Sequence, residues 1–493
     1  MACNGDGCQS TCYKDEQPSS KPTQSPNSSN SICIKCKLND AVSGYGGVDD
    51  GRFCADCFRS NLFGKFRLAV TSNAMITPTD KVLVAFSGGP SSRVALQFVH
   101  DMQERAQKNF DASRDRSLPV FGVGVVFIDE SAILSFPSGE MEEAIEVISS
   151  VVSRLAPPMK ELHIVPIENV YSSDSSDGKE RLIKLVGSVS DPTGREDMLL
   201  YLRMLALQKV ASEFGYNKIV LGSCVSRIAS HVISATVKGQ GYSLPADIQY
   251  VDARWEIPVV LPLRDCFAQE INMFCHLDGL KTFRLSTGPC SSINGLVSSF
   301  VALLQEENPS RESTIVRTAG KLIPFQFNRI PEIVDGKVPL ATRRRQKRYN
   351  LKPNDSVSSE SFCLLCNSPL DKSEIVDASN VNNSRSSDIF YNACCSSCHF
   401  QILPSDSMSM EQFYMDLPQS VVARAKQTNN GNLRNKSKIA YFQIVKINLK
   451  LSCLHLDSLK RAQNLALLLS TLRALQFTTD LLQNMVVVDD YLG

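Results

Sequence analysis

This sequence predicts an α/β fold built on a mostly parallel sheet, and three observations carry that expectation. Between Lys81 and about Phe283, short apolar runs alternate with longer stretches of helical periodicity, the pattern of parallel strands joined by crossover helices. The first of those runs, Val82 to Phe86, breaks at the pair Gly88-Gly89, and an amphipathic helical pattern starts almost at once, Arg93 to Val99. Outside this core stand two sets of paired cysteines, Cys33-x-x-Cys36 with Cys54-x-x-Cys57 and Cys363-x-x-Cys366 with Cys395-x-x-Cys398. Such pairs call for small metal-bound modules rather than for more sheet.

Taken in order, residues 1–31 are mostly Ser, Pro, Asn, Gln and Lys, which cannot bury enough apolar surface to order themselves. Cys3, Cys8 and Cys12 lie in this tail without paired spacing and read as incidental thiols. Residues 32–70 hold the first four-cysteine set. Each Cys-x-x-Cys turn presents two thiolates to one ion, and two turns complete a tetrahedron. The segment between them carries Gly44, Gly46, Gly47 and Gly51, the turn residues of a zinc ribbon. Redox-active or merely buried thiols are the alternative. Arg59, Lys65, Phe66 and Arg67 follow, a basic and aromatic cluster suited either to an RNA backbone or to a solvated helix face.

Residues 75–340 form the expected α/β domain. Its second strand is the run from Val120 to Ile128, followed by a helix from about Glu140 to Leu155. Leu162 to Ile167 is the third strand, with His163 as a core residue, and Lys218 to Leu221 is the fourth. A polar loop, Ser172 to Gly178, and a long helical stretch ending near Phe214 separate those two strands, and further helices fall at Asp265 to Leu277 and Gly295 to Arg317. Residues 341–360 are a basic linker. There Arg343, Arg344, Arg345, Lys347 and Arg348 make the most basic run of the chain, either a nucleic-acid phosphate contact or a flexible linker or localisation signal. Residues 361–493 hold the second cysteine set, with Cys394 and His399 as alternative ligands. A strand-like run, Ile439 to Val445, and a Leu-rich amphipathic stretch, Ser458 to Leu482, complete this module.

The bulk numbers bound function from outside. A 43% hydrophobic fraction with 21% charged residues describes a soluble protein, and a formal net charge of +1 leaves polyanion binding to local clusters. No apolar run reaches membrane length, no signal-peptide core opens the chain, and seventeen cysteines without a secretory signal argue for reduced thiols and metal. The expected location is cytosol or nucleus, with no membrane partner.

Strand, glycine turn and helix make an anion-binding corner when backbone N–H groups of the helix's first turn are left pointing at a ligand. Ser87 and Ser92 would add hydroxyl donors or simply cap the helix, and a plain β-to-α turn fits the same residues. The spacing Ser-Gly-Gly-x-x-Ser, Ser87 to Ser92, resembles the pyrophosphate loop of the PP-loop ATP pyrophosphatase superfamily, whose members adenylate tRNA bases, acids and amides. The resemblance implies the adenine nucleotide alpha hydrolase-like sheet with helices on both faces, and cofactor contacts at Ser87, Gly88, Gly89 and Ser92. Active members carry Lys and Asp where this chain has Pro90 and Ser91. Losing the cation and the Pro90 N–H lowers the expected nucleotide affinity by about ten- to a hundredfold, so ATP binding is not an expectation of this sequence.

After the fourth strand stands Gly222-Ser223-Cys224-Val225-Ser226-Arg227, where tRNA-thiolating PP-loop enzymes have Gly-His-Asn-x-Asp-Asp. Only the Gly matches, with Arg227 and His231 as the remaining polar groups. Of the cysteine pair those enzymes use, Asp191 to Phe214 supplies none, and Cys290 is the one candidate for the other. Cys224, Cys266 and Cys275 read as buried hydrophobes.

Ribbon, altered loop, α/β core without the acidic motif and second cysteine set together resemble the cytoplasmic tRNA 2-thiolation protein 2 family over about residues 30–480. That resemblance implies a heterodimer with a catalytic PP-loop paralogue, sulfur from a thiocarboxylated ubiquitin-related modifier, and the wobble uridine of Lys, Glu and Gln tRNAs as target. It also implies two structural zinc sites and a cytoplasmic location. The departures imply no adenylation or sulfur transfer by this chain alone. The competing readings are an autonomous sulfurtransferase using Cys290 and a zinc-ribbon RNA-binding adaptor.

Overall fold

The computed structural model describes residues 32–42, 52–113, 119–171, 177–285, 291–308, 310–322, 325, 327, 343–344, 361–370 and 385–424. Two compact units divide the chain, Met1–Val165 with Leu207–Ser358, and Pro166–Ala206 with Ser359–Gly493. The strands are β1 (Lys81–Ala85), β2 (Gly122–Asp129), β3 (Glu161–Pro166), β4 (Lys218–Val220), β5 (Val251–Asp252) and β6 (Val259–Val260). The helices up to the sixth are α1 (Ala55–Ser72), α2 (Pro90–Ala112), α3 (Glu140–Arg154), α4 (Gly178–Gly187), α5 (Pro192–Glu213) and α6 (Val225–Val237). Then come α7 (Leu244–Asp247), α8 (Ala268–Leu277), α9 (Ile293–Glu307), α10 (Ser310–Ala319), α11 (Ser386–Asn392), α12 (Ser396–Gln401) and α13 (Ser407–Asp416).

One six-stranded sheet organises the first unit, in the order β3-β2-β1-β4-β6-β5. β1 pairs in parallel with β2 and β4, β4 in parallel with β6, and β5 closes the edge antiparallel to β6. A strand reading Lys-Val-Leu-Val-Ala has no polar face, so it suits the middle of a sheet covered on both sides. Val82, Leu83 and Val84 are accordingly fully buried. On one face the core is aromatic: Phe98 of α2 meets Phe63 and Phe66 of α1 at 5.4 Å each and Phe274 of α8 at 4.9 Å, all tilted edge to face. His163 is satisfied inside the unit, its Nε2 lying 2.9 Å from the Tyr216 hydroxyl and its ring 4.2 Å from that of Phe214.

The four longer strands and the helices between them stand where the apolar runs place them. The edge pair β5 and β6 was not anticipated, since two residues per strand give no alternation to read. The runs Ile439 to Val445 and Ser458 to Leu482 lie outside the described residues.

In the second unit, α4 and the first turns of α5 pack with the short helices around the second cysteine set. The buried Tyr171 hydroxyl donates to the Asp416 carbonyl at 2.6 Å, and Arg181 caps the end of α13 through the Met415 and Leu417 carbonyls at 2.7 and 3.2 Å. Gly194 is required here, because a Cβ at that position would lie 1.9 Å from the Gln401 carbonyl oxygen.

Candidate functional site

Parallel strands bring the carboxyl ends of β1 and β4 side by side, where α/β sheets bind ligands. β1 turns through Ser87, Gly88 and Gly89 into α2, with Gly88 at φ +81°, a value that favours glycine. Ser92 is 6% exposed and braces the turn from within. Its hydroxyl donates to the Gly89 carbonyl at 2.9 Å and accepts from the Ser87 N–H at 3.2 Å and the Ser87 hydroxyl at 3.3 Å. One backbone donor of the corner is therefore spent internally, and Pro90, at the first position of α2, has none to offer. Phe283 reaches the corner from beyond α8, its N–H donating to the Gly88 carbonyl at 3.0 Å.

At the β4 end, Gly222 has a steric reason. A Cβ on Gly222 would lie 2.7 Å from the backbone of Ser91 and Ser92, so only glycine lets β4 rest on the first turn of α2. Ser226, in the first turn of α6, donates its hydroxyl to Glu312 of α10 at 2.7 Å. Glu312 is fully buried, its other carboxylate oxygen has no partner, and burial pushes its pKa up against the pull of that one hydrogen bond. This carboxyl was missed from sequence because it comes from a helix far along the chain. His231 is oriented by Asp247, 3.0 Å away, which itself pairs with the buried Arg254. Cys224 and Cys266 are buried and Cys275 nearly so. Burial raises the Cys275 thiol to about 11, and unionised thiols of this kind are poor nucleophiles.

Both cysteine sets assemble. In each, the four Sγ atoms lie within 4.8 Å of one another. Sγ–Sγ separations are 3.7 Å for Cys36–Cys54, 3.8 Å for Cys363–Cys398 and 3.7 Å for Cys366–Cys395. A tetrahedron with metal–sulfur bonds of about 2.3 Å has edges of about 3.8 Å, whereas a disulfide would bring sulfurs to about 2 Å. The geometry thus fits a metal ion in each cluster.

The two clusters also share a backbone design. Cys33 and Cys363 each begin a tight knuckle in which the residue after the second cysteine, Lys37 or Asn367, takes a left-handed conformation, φ +56° and +58°. In both, that residue's N–H returns to the carbonyl of the first cysteine at 2.9 Å. The second pair then opens a helix, with Cys54 as N-cap of α1 and Cys395 as N-cap of α12. Burial works against a Cys33 thiolate, but N–H groups of Cys36, Cys54 and Lys35 outweigh it and bring the thiol down to about 6. Burial and the neighbouring thiols push Cys57 up to about 12, which a cation among the four sulfurs would offset.

The alternative ligands of the second cluster have other partners. The Cys394 thiol donates to the Phe390 carbonyl at 3.3 Å, and His399 Nε2 lies 2.6 Å from the Tyr391 carbonyl with its ring stacked on Tyr391 at 4.2 Å.

The basic residues divide. Arg59 pairs with Asp278 and Asp56, and Lys65 pairs with Glu270 at 2.6 Å beside the Phe267 ring. Phe66, grouped with them as a surface aromatic, is fully buried in the core instead, because the helical period turns it toward Phe98. Arg67 and Arg344 are exposed, while Arg345, Lys347, Arg348 and Cys290 lie outside the described residues.

A family model described as Cytoplasmic tRNA 2-thiolation protein 2 matches residues 292–441. The chain is 58% identical over 447 residues to the Cytoplasmic tRNA 2-thiolation protein 2 of Arabidopsis thaliana, covering 89% of this chain and 98% of that one. It is 54% identical over 390 residues to the protein of the same name from Oryza sativa subsp. indica, covering 78% and 83%. Among solved structures, the U34-tRNA thiolase NcsA of Methanococcus maripaludis, solved with its 4Fe–4S cluster, aligns with a TM-score of 0.45 at 16% identity, covering 59% of this chain and 88% of that chain.

Proposed function

The chain belongs to the cytoplasmic tRNA 2-thiolation protein 2 family, and from that premise we propose that it is the non-catalytic subunit of a wobble-uridine 2-thiolation complex. In this reading it pairs with a catalytic PP-loop paralogue, which takes sulfur from a thiocarboxylated ubiquitin-related modifier and places it on Lys, Glu and Gln tRNAs. This subunit stabilises the paralogue and widens the tRNA-binding surface. The observation that carries the reading is the β1–α2 corner. Its serine brace consumes the Ser87 N–H, and Pro90 stands where a phosphate-binding cation is needed. With the Ser87 N–H spent and none at Pro90, the corner offers a triphosphate two backbone donors fewer.

The two cysteine clusters hold zinc as folding ions in this proposal. All-sulfur, four-coordinate sites leave no open position for substrate, so the metal closes each module and takes no part in chemistry. Arg67 and Arg344 supply exposed cations for tRNA phosphates, joined by Arg343, Arg345, Lys347 and Arg348 of the basic run. Arg59 and Lys65 act through their ion pairs, fixing α1 against α8.

Reconstitution tests the proposal. The purified chain is expected to show no tRNA-dependent release of pyrophosphate from ATP, while thiolation by the paralogue falls sharply when the chain is omitted. Turnover by the chain alone would defeat the reading, as would thiolation that proceeds unchanged without it. Cys290→Ala in the reconstituted complex should leave thiolation unchanged, since its loss matters only if this chain carries sulfur itself.

A further inference from the structure

In a phosphate loop, glycine is used so that a ligand can come close to the backbone. Something does come close to Gly88, and it belongs to this chain. A Cβ built on Gly88 would lie 2.2 to 2.4 Å from ring atoms of Phe283. The same residue's N–H donates to the Gly88 carbonyl at 3.0 Å. Its ring also meets Phe86, the last apolar residue before the corner, at 6.5 Å and Phe127 of β2 at 6.3 Å, both tilted. Phe283 is half-buried and packs against the central core cluster, so the contact is anchored at its ring and at its backbone. Its neighbours Lys281, Thr282 and Arg284 are exposed or nearly so, which leaves Phe283 as the residue that grips.

We propose that Phe283 is an internal plug for the anion corner: the strap Lys281–Leu285 lies on the Ser-Gly-Gly turn, and its aromatic ring takes the space beside Gly88 that a phosphate group would need. The strap also replaces what a bound phosphate does for such a turn, which is to hold it in one conformation. The absence of a loop Lys predicts weak affinity, whereas a plug predicts exclusion. The two are separable by experiment. This inference concerns the corner alone and holds whether or not the chain serves in tRNA thiolation.

The test uses the full chain, with inorganic pyrophosphate and magnesium as the probe, and reads two things together. One is amide hydrogen exchange across Gly88 to Arg93, and the other is pyrophosphate binding by calorimetry. In the wild type, exchange is expected to be slow and unaffected by millimolar pyrophosphate, with no heat of binding. Phe283→Ala removes a ring whose burial is worth more than a tenfold change in opening equilibrium. Its loop amides should therefore exchange at least about tenfold faster in the absence of pyrophosphate, and pyrophosphate should then bind and slow them. Phe283→Leu keeps an apolar side chain for folding and should give an intermediate acceleration and weaker binding, which guards against misfolding of the alanine variant. Protection of the wild-type loop by pyrophosphate would overturn the proposal. So would variants whose loop amides stay slow, or whose amides accelerate without any gain in binding.

Discussion

Three helices of this chain begin next to a site, and they have met different fates. α1 and α12 open on Cys54 and Cys395, whose thiols stand with three others, all within 4.8 Å of one another. α2 opens on Gly89 and Pro90, faced by the Ser92 hydroxyl and the Phe283 strap. The first two sites converge their donors on a point and leave it for an ion. At the third, donors converge on one another. A helix start binds an anion best when its N–H groups are unspent and the approach is open; here the Ser87 N–H is spent, Pro90 has none, and Phe283 stands at the approach. What separates the sites is where the hydrogen bonds go, since the backbone frame is present in all three.

The widest separation should appear on removing a thiol. Cys33→Ser and Cys363→Ser are each expected to lose one bound ion of the two, measured by metal mass spectrometry on the purified chain, and to unfold the affected module. Structural zinc is worth about 10–16 kcal/mol in small finger peptides, comparable with the whole stability of a domain, so little folded module should survive. A wild-type chain carrying no metal would erase the contrast on which the comparison rests.

Ser92→Ala should be milder and should act on folding rather than on any ligand. It strips the acceptor from the Ser87 N–H, while the Gly89 carbonyl keeps the Arg93 N–H at 3.0 Å. Leaving that one N–H without its partner costs about 1–3 kcal/mol. Denaturant melts of the variant should show that loss identically with and without Mg-ATP. A difference that appears only with nucleotide would mean the corner still serves a phosphate.

How far the sequence anticipates this arrangement depends on the range of the interactions. β1 to β4 are short, mostly apolar runs, and the Cys-x-x-Cys pairs are local spacings, so both can be read without the fold. The corner's closure depends on contacts between Gly88 and Phe283 and between Ser226 and Glu312, residues far apart in the chain that nothing local links. Phe66 shows the opposite difficulty. Its neighbours Lys65 and Arg67 are basic, which suggested a surface cluster, yet the helical period alone decides that it faces inward. The choice among Cys394, Cys395, Cys398 and His399 needed the positions of the Phe390 and Tyr391 carbonyls, and no spacing rule supplies those.

Glu312→Gln sharpens the contrast at the β4 corner, where two acids expected of an active enzyme are absent and one arrives from α10. Burial raises the folded-state pKa of Glu312 above its usual 4.5. Stability from the neutral form is then complete below that value and declines as pH rises from about 4.5 to the raised folded value. Gln keeps the acceptor for Ser226 and has no proton to lose. The variant and the wild type should therefore match near pH 4, with Gln the more stable at pH 7. Thermal melts across that range check it, and a gap that fails to open with pH would place the carboxyl in a better-solvated site.

The smallest effect distinguishes the two cysteine knuckles from each other. Both need a left-handed residue after the second cysteine, and they fill it differently, with an exposed Lys37 and a buried Asn367. A lysine in that conformation carries strain of about 1–2 kcal/mol that glycine lacks, against which glycine's looser unfolded chain sets about 0.4–1 kcal/mol. Lys37→Gly should thus strengthen the first knuckle slightly, by up to about 1 kcal/mol. Asparagine tolerates the left-handed region, and Asn367 is 7% exposed with side-chain or backbone interactions of its own, so Asn367→Gly should weaken the second. Chelator competition, timing metal loss from each variant, reads the two signs directly. If both substitutions moved the same way, the shared backbone alone would set knuckle stability, and the side chains at Lys37 and Asn367 would be incidental to it.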